Sequence, residues 1–198
     1  MRVAIVYHSG YGHTERQALA VGRGAGEVAG TDVLLLPVEE AETRWDDLDT
    51  AEAIIFGAPT YVASMSARFK AFAEASSHAV MARGGWQDKL AAGFTNSGAR
   101  AGDKLATLTQ LALFAAQHGM HWVNLALPPA NNSTLGSEDD LNRLGFWLGA
   151  AAQSNVDQGA DVAPPDSDLA TARHLGRRVA IAARQFALGR RVLIHDSI

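Results

Sequence analysis

A glycine-bearing loop near the start of the chain has the residue types that bind an anion. The stretch HSGYGHT, residues 8–14, follows the apolar run of residues 3–7 and leads into a helical pattern. Successive backbone N–H groups of such a turn point inward, and the following helix adds the positive end of its dipole. Hydroxyl groups can donate further hydrogen bonds to phosphate oxygens. We therefore predict a phosphate cradle, with a plain tight turn before a helix as the alternative; its residues are Ser9, Gly10, Tyr11, Gly12, His13 and Thr14.

The loop differs from two common nucleotide-binding motifs. No lysine follows its glycines, which excludes the phosphate-binding loop that ends in Gly-Lys-Ser/Thr. Glu15 occupies the position of the third glycine in the dinucleotide fingerprint. Leu36 and Pro37 stand where that fingerprint needs an acidic residue for the ribose. The cradle therefore fits neither motif.

Two more loops of small and polar residues each follow a predicted strand. One contains Pro59, Thr60 and Tyr61, and Tyr61 can either flank a planar ring or cover the end of the sheet. The other is the glycine-bearing stretch of residues 95–102. Each loop alone is a weak signal, whereas three at one edge of a sheet would offer a phosphate site and polar backbone for a flat ring.

The elements that must position these loops alternate between strands and helices. Apolar runs predict strands at residues 3–7, 33–36, 53–56, 90–95 and 120–127. Helical spacing between them predicts an α/β fold, a three-layer sandwich with a five-stranded parallel sheet and helices on both faces. We expect a single domain over residues 1–198, with a polar stretch at 131–168 before the last helix. Ligands bind such sheets outside the carboxyl ends of the strands, where the three loops would meet.

Composition narrows the classes of function. The 198 residues are 47% hydrophobic and 19% charged, with a formal net charge of -4, so we expect no nucleic-acid or membrane partner. The absence of cysteine excludes disulfides, thiolate metal sites and cysteine nucleophiles. Metal-binding His-x-x-x-His spacing is absent as well. No apolar run approaches the roughly 18 residues that span a bilayer, and we expect a cytoplasmic protein.

Together the three loops resemble those of a known family. The motifs Ser9-x-Tyr11-Gly12-His13-Thr14, Gly57-x-Pro59-Thr60-Tyr61 and Phe94-Thr95-x-Ser97-Gly98 are similar to those of the flavodoxin-like superfamily, and within it to WrbA-type NAD(P)H:quinone oxidoreductases. The resemblance implies a flavodoxin-like fold with FMN as cofactor and its phosphate on residues 9–14. The isoalloxazine would lie beside Pro59, Thr60, Tyr61 and Val62. The pyrimidine edge would meet Asn96, Ser97, Gly98, Ala99, Arg100 and Gly102.

The same resemblance implies a reaction. NADH or NADPH would pass hydride to the flavin and leave, and a quinone or similar small acceptor would take its place. His118 would lie near the ring face as a catalytic residue, supplied across a subunit interface of a homodimer or homotetramer. A favourable helix dipole is the alternative reason for a histidine at this helix end. Residues 127–137 and 150–167 depart from the WrbA pattern, and two other functions stay open: a flavodoxin-type electron carrier, and an FMN-binding or interaction protein without turnover.

Overall fold

A seven-stranded sheet forms the middle layer of the computed structural model, which describes residues 1–195. The strands are β1 (Arg2–Tyr7), β2 (Asp32–Pro37), β3 (Ala53–Tyr61), β4 (Ser64–Met65), β5 (Leu90–Ser97), β6 (His121–Trp122) and β7 (Ala150–Gln153). The helices are α1 (His13–Gly26), α2 (Val38–Ala41), α3 (Trp45–Asp49), α4 (Ala67–Ala79), α5 (Lys104–Gln117) and α6 (Asp166–His195). The order is β2-β1-β3-β5-β6 with parallel pairs, β7 also pairs parallel with β5, and β4 pairs antiparallel with β3. This arrangement confirms the predicted α/β sandwich.

Each face of the sheet carries its own hydrophobic core, because apolar strands of a parallel sheet bury side chains on both sides. Val21 of α1 and Leu175 of α6 belong to one core, and Phe72 of α4 belongs to the other. Gly24 lets α1 and α6 approach closely, since a Cβ there would lie 1.8 Å from the carbonyl oxygen of Arg173. Among residues 1–195 no helix is both long enough and apolar enough to cross a membrane.

The fifth strand position is divided into two segments, and the predicted strand at 120–127 is wrong beyond Trp122. β6 pairs with the start of β5, the chain then leaves the sheet, and β7 pairs with the end of β5. The apolar run cannot continue as a strand, because Ala126 has a φ of 51° and the following Pro128-Pro129 has no N–H groups to donate. A Cβ on Gly149 would lie 2.1 Å from the carbonyl oxygen of Gly93, so glycine allows the chain to rejoin the sheet. The stretch predicted as polar therefore contains a buried strand.

Candidate functional site

A cavity opens at the carboxyl ends of the parallel strands and brings the three predicted loops together. Its volume is about 590 Å³, within the range of small-ligand sites. The predicted residues on its wall are Ser9, Tyr11, His13, Thr14, Pro59, Thr60, Tyr61, Asn96, Ser97 and Gly98.

The loop of residues 9–14 has the geometry of an anion cradle. Gly12 has a left-handed backbone with a φ of 84° and caps α1, which begins at His13. The first turn of a helix leaves its N–H groups without partners inside the helix. The hydroxyl oxygen of Ser9 accepts the N–H of Glu15 at 3.1 Å, which leaves the hydroxyl proton of Ser9 for another acceptor. Such donors at the positive end of a helix dipole suit a phosphate.

A tight hairpin between β3 and β4 brings Tyr61 to the cavity. The two residues of its turn, Val62 and Ala63, have φ values of 49° and 62°, an unfavourable conformation for a valine. Tyr61 contacts Tyr11 edge to face, with 6.3 Å between the ring centroids. Gly10 makes room for the Tyr61 hydroxyl, which would lie 2.5 Å from a Cβ at that position. Burial raises the pKa of Tyr61, so this hydroxyl stays protonated at neutral pH.

Buried hydroxyl groups support the wall behind Thr60. Its Oγ1 lies 2.8 Å from Oγ1 of Thr95 and donates to Oγ1 of Thr107 at 2.7 Å. All three residues are buried. Because Thr107 belongs to α5, these hydrogen bonds hold the ends of β3 and β5 against that helix.

Several predicted contact residues do not reach the cavity wall. Arg100 forms an ion pair with Glu138 at 2.7 Å instead of turning to the cavity. Val62 lines a neighbouring groove between α4 and α5. The glycines of the cradle shape the turn through their backbone. The predicted residues outside the wall are Gly10, Gly12, Val62, Ala99, Arg100 and Gly102.

A fourth loop completes the cavity; it lies within residues 150–167, which were expected around the substrate side, but none of its residues was predicted as a cofactor contact. It follows β7 and contributes Ser154, Val156, Gln158 and Gly159. Nδ2 of Asn96 donates to Oγ of Ser154 at 2.9 Å. Nε2 of His13 lies 2.8 Å from the carbonyl oxygen of Gln158. The available signal was the short apolar run of residues 150–152 followed by a polar loop with a glycine, which repeats the pattern of the other three loops.

His118 lies outside this cavity. Its Nε2 is 2.9 Å from Oγ of Ser76, and its ring centroid is 4.5 Å from that of Trp86 and 4.9 Å from that of Phe114. Burial lowers the pKa of His118 to about 4, so the ring is neutral at pH 7. Within one chain the residue packs in the core beside α4, and its action on the flavin of another subunit stays a prediction.

Comparisons with known proteins agree with this geometry. Residues 37–132 match the family described as NADPH-dependent FMN reductase. The chain is 43% identical to the flavodoxin FldP of Pseudomonas aeruginosa (strain UCBPP-PA14), over 93% of this chain and 97% of that protein. It is 31% identical to an NAD(P)H dehydrogenase (quinone) of Geotalea uraniireducens (strain Rf4), over 93% of this chain and 98% of that protein. The crystal structure of a flavodoxin, WrbA-like protein from Agrobacterium tumefaciens superposes with a TM-score of 0.73 at 40% identity and covers 93% of this chain and 98% of that one.

A parallel sheet of order 2-1-3, continued by β5 and a divided fifth strand, with an anion cradle after its first strand, defines the flavodoxin-like class. The chain belongs to the flavodoxin-like family of WrbA-type proteins. The family and the fold class predicted from the loop motifs are both confirmed.

Proposed function

We propose that the protein is an FMN-dependent oxidoreductase that transfers two electrons from NADH or NADPH, through FMN, to a quinone or a similar small acceptor. The observation that carries this proposal is the meeting of four loops around one cavity, with an anion cradle and two tyrosines on its wall. Relatives named NAD(P)H dehydrogenase (quinone), together with the matched FMN reductase family, support the predicted activity and cofactor.

The residues of the cavity fit FMN. The Ser9 hydroxyl and the first N–H groups of α1 would hold the phosphate, because they are donors at the positive end of a helix dipole. The rings of Tyr11 and Tyr61 would offer apolar surface to the isoalloxazine. Bound FMN would supply the hydride and electron-pair chemistry itself. The chain therefore needs no nucleophile in the cavity, and its own task is to bind and orient the cofactor and the nicotinamide.

A flavodoxin-type electron carrier is the second candidate, because the relative at 43% identity is named a flavodoxin. Carriers dock to protein partners through complementary charge. The net charge of -4 over 198 residues is small for such docking, which favours the reductase. An FMN-binding protein without turnover would differ from the reductase by leaving its flavin oxidised in the presence of NADH or NADPH.

We propose a homodimer or homotetramer that assembles through the apolar outer side of α5. Leu105 and Leu113 of this helix are exposed. The neighbouring groove, about 820 Å³ in volume, has Leu113 and the exposed Val62 on its wall, and contiguous exposed apolar surface is typical of protein interfaces. Light scattering tests the assembly, and a monomer at micromolar concentration would contradict it. We also propose a cytoplasmic location, because the proposed donors NADH and NADPH are reductants of that compartment.

A visible-spectrum titration tests the proposed function. Purified protein is titrated with FMN and then mixed with NADH or NADPH in the absence of oxygen. Tight binding followed by prompt bleaching of the flavin supports the reductase, whereas binding without bleaching contradicts it and leaves the carrier and the FMN-binding protein without turnover. If FMN does not bind at all, the proposed function is wrong.

A further inference from the structure

The carbonyl groups of the third loop are all hydrogen-bonded to donors of the protein itself. Five consecutive carbonyl oxygens accept hydrogen bonds, and the pairs are Ser97 with the N–H of Ser154, Gly98 with Nε2 of Gln153, Ala99 and Arg100 with Nζ of Lys104, and Ala101 with the N–H of Lys104. In a trans peptide unit the C=O and the following N–H point in opposite directions. The N–H groups of residues 98–102 therefore point away from these donors. On the side away from these donors, the loop therefore offers N–H donors and no carbonyl acceptors.

Lys104 supplies three of these hydrogen bonds from a place that is unfavourable for a lysine. It is the first residue of α5, where the helix dipole disfavours a cation, and its side chain is fully buried. Asp168 on α6 favours its ammonium form and Arg143 opposes it. Burial, aided by the charge of Arg143, outweighs Asp168 and lowers the pKa of Lys104 to about 8. Because this position is unfavourable for a lysine, its hydrogen bonds to the third loop call for a functional reason.

We propose that Lys104 is a positioning residue for FMN: it would hold the third loop so that the N–H group of Gly98, on the cavity wall, is free for the flavin, and it would place a positive charge near the pyrimidine edge. Ser97 and Gly98 of this loop lie on the cavity wall. The pyrimidine edge carries acceptor atoms, and it gains negative charge when the flavin is reduced, so charge near it tunes the cofactor. Donors fixed in advance stabilise such charge most effectively. The inference rests on the proposed binding of FMN in this cavity.

The variants Lys104→Met and Lys89→Met form a matched test. Lys89 also donates to two backbone carbonyl oxygens, those of Asp49 and Ala51 at 2.6 and 2.7 Å, and burial lowers its pKa too. It stands just before β5, at the opposite end of that strand from the cavity. Lys104→Met should raise the Kd for FMN about tenfold, from the loss of hydrogen bonds made by a charged group. The loss should be larger for reduced than for oxidised FMN, and Lys89→Met should leave both affinities unchanged.

A pH profile of FMN affinity gives a second readout that needs no substitution. The Lys104 ammonium loses its charge as the pH rises through about 8, so the native protein should bind FMN more weakly at about pH 9 than at about pH 7, while Lys104→Met shows no such fall. The titration of Lys104 does not weaken FMN binding by unfolding the protein, because its effect on stability has the opposite sign. With a lowered pKa, Lys104 makes the folded state more stable as the pH rises from about 8 toward 10.5, since the unfolded chain binds more protons there.

The outcomes separate this inference from the function on which it rests. A native protein that does not bind FMN would overturn both. Tight binding by the native protein, with the same affinity and the same pH profile in Lys104→Met, would overturn the role of Lys104 alone. If circular dichroism shows that Lys104→Met does not fold, the native pH profile decides: a fall in affinity above pH 8 supports the role, and a flat profile overturns it.

Discussion

Breaking the buried ion pair between Arg143 and Asp168 should strongly destabilise the folded protein. The guanidinium donates to both carboxylate oxygens at 2.8 Å, and the side chains are only 5% and 2% exposed. Asp168 has one further donor, the N–H of Gln153 at 2.9 Å. In Arg143→Met the carboxylate would stay buried with that single neutral donor. Breaking a buried pair in this way costs about 3–5 kcal/mol, and we expect the free energy of unfolding to fall by this amount.

Urea denaturation followed by tryptophan fluorescence measures this change. The control is Arg44→Met, because Arg44 pairs with Asp47 at 2.7 Å on the surface, where such a pair contributes at most about 1 kcal/mol. The double variant Arg143→Met, Asp168→Leu should regain most of the loss, since it removes the unpaired charge. A loss below about 1 kcal/mol in the single variant would refute the reasoning, because the pair would then behave like a surface pair.

Three further predictions concern the cradle, the hairpin and the buried histidine. Gly12→Ala should cost about 1–2 kcal/mol of stability and weaken FMN binding, since alanine is strained at a φ of 84° and its Cβ would lie 2.8 Å from that of Ala160; unchanged affinity in an FMN titration would contradict this. Val62→Asn should stabilise the folded monomer by up to about 1 kcal/mol, because asparagine tolerates positive φ and Val62 is fully exposed within one chain; a lower Tm of the monomer would be the opposite result. The native protein should lose stability as the pH falls from 6.5 to about 4, where the unfolded chain takes up a proton that His118 does not, and His118→Gln should flatten this profile. An equally steep profile in the variant, measured by urea denaturation at each pH, would show that other groups cause the loss.

The parts of the fold that could be predicted depend on local signals. Residues 53–56 are apolar without alternation, and such a run is typical of a strand buried on both faces. Residues 120–127 have the same apolar signal, but only His121 and Trp122 at the start of this run form a strand. Its course depends on contacts made in the folded protein: the indole of Trp122 donates to the carbonyl oxygen of Leu148 at 2.9 Å, and Leu125 donates to that of Trp147 at 3.1 Å. Periodicity along the chain carries no information about such pairings.

The candidate site also has parts that could be predicted from local sequence and parts that could not. The cradle, the hairpin loop and the start of the third loop could be predicted, because each directly follows a strand and the carboxyl ends of parallel strands meet at one edge. Arg100 could not be placed, since its ion pair with Glu138 joins the third loop to the connection between β6 and β7. His118 stands beside a glycine at a helix end, yet its surroundings, Ser76 and Trp86, come from other parts of the chain.

By itself the sequence predicted a glycine-bearing loop suited to a phosphate at the carboxyl edge of a parallel sheet, because glycine conformation, helix dipoles and strand composition act over a few residues. Only the tertiary structure decided that residues 154–159 close the cavity and that the buried Lys104 ammonium donates to the carbonyl oxygens of the third loop. Both features depend on how the divided fifth strand, α5 and α6 pack together. That packing joins residues far apart along the chain, and its free energy comes from burial and hydrogen bonding in the folded state rather than from any local preference.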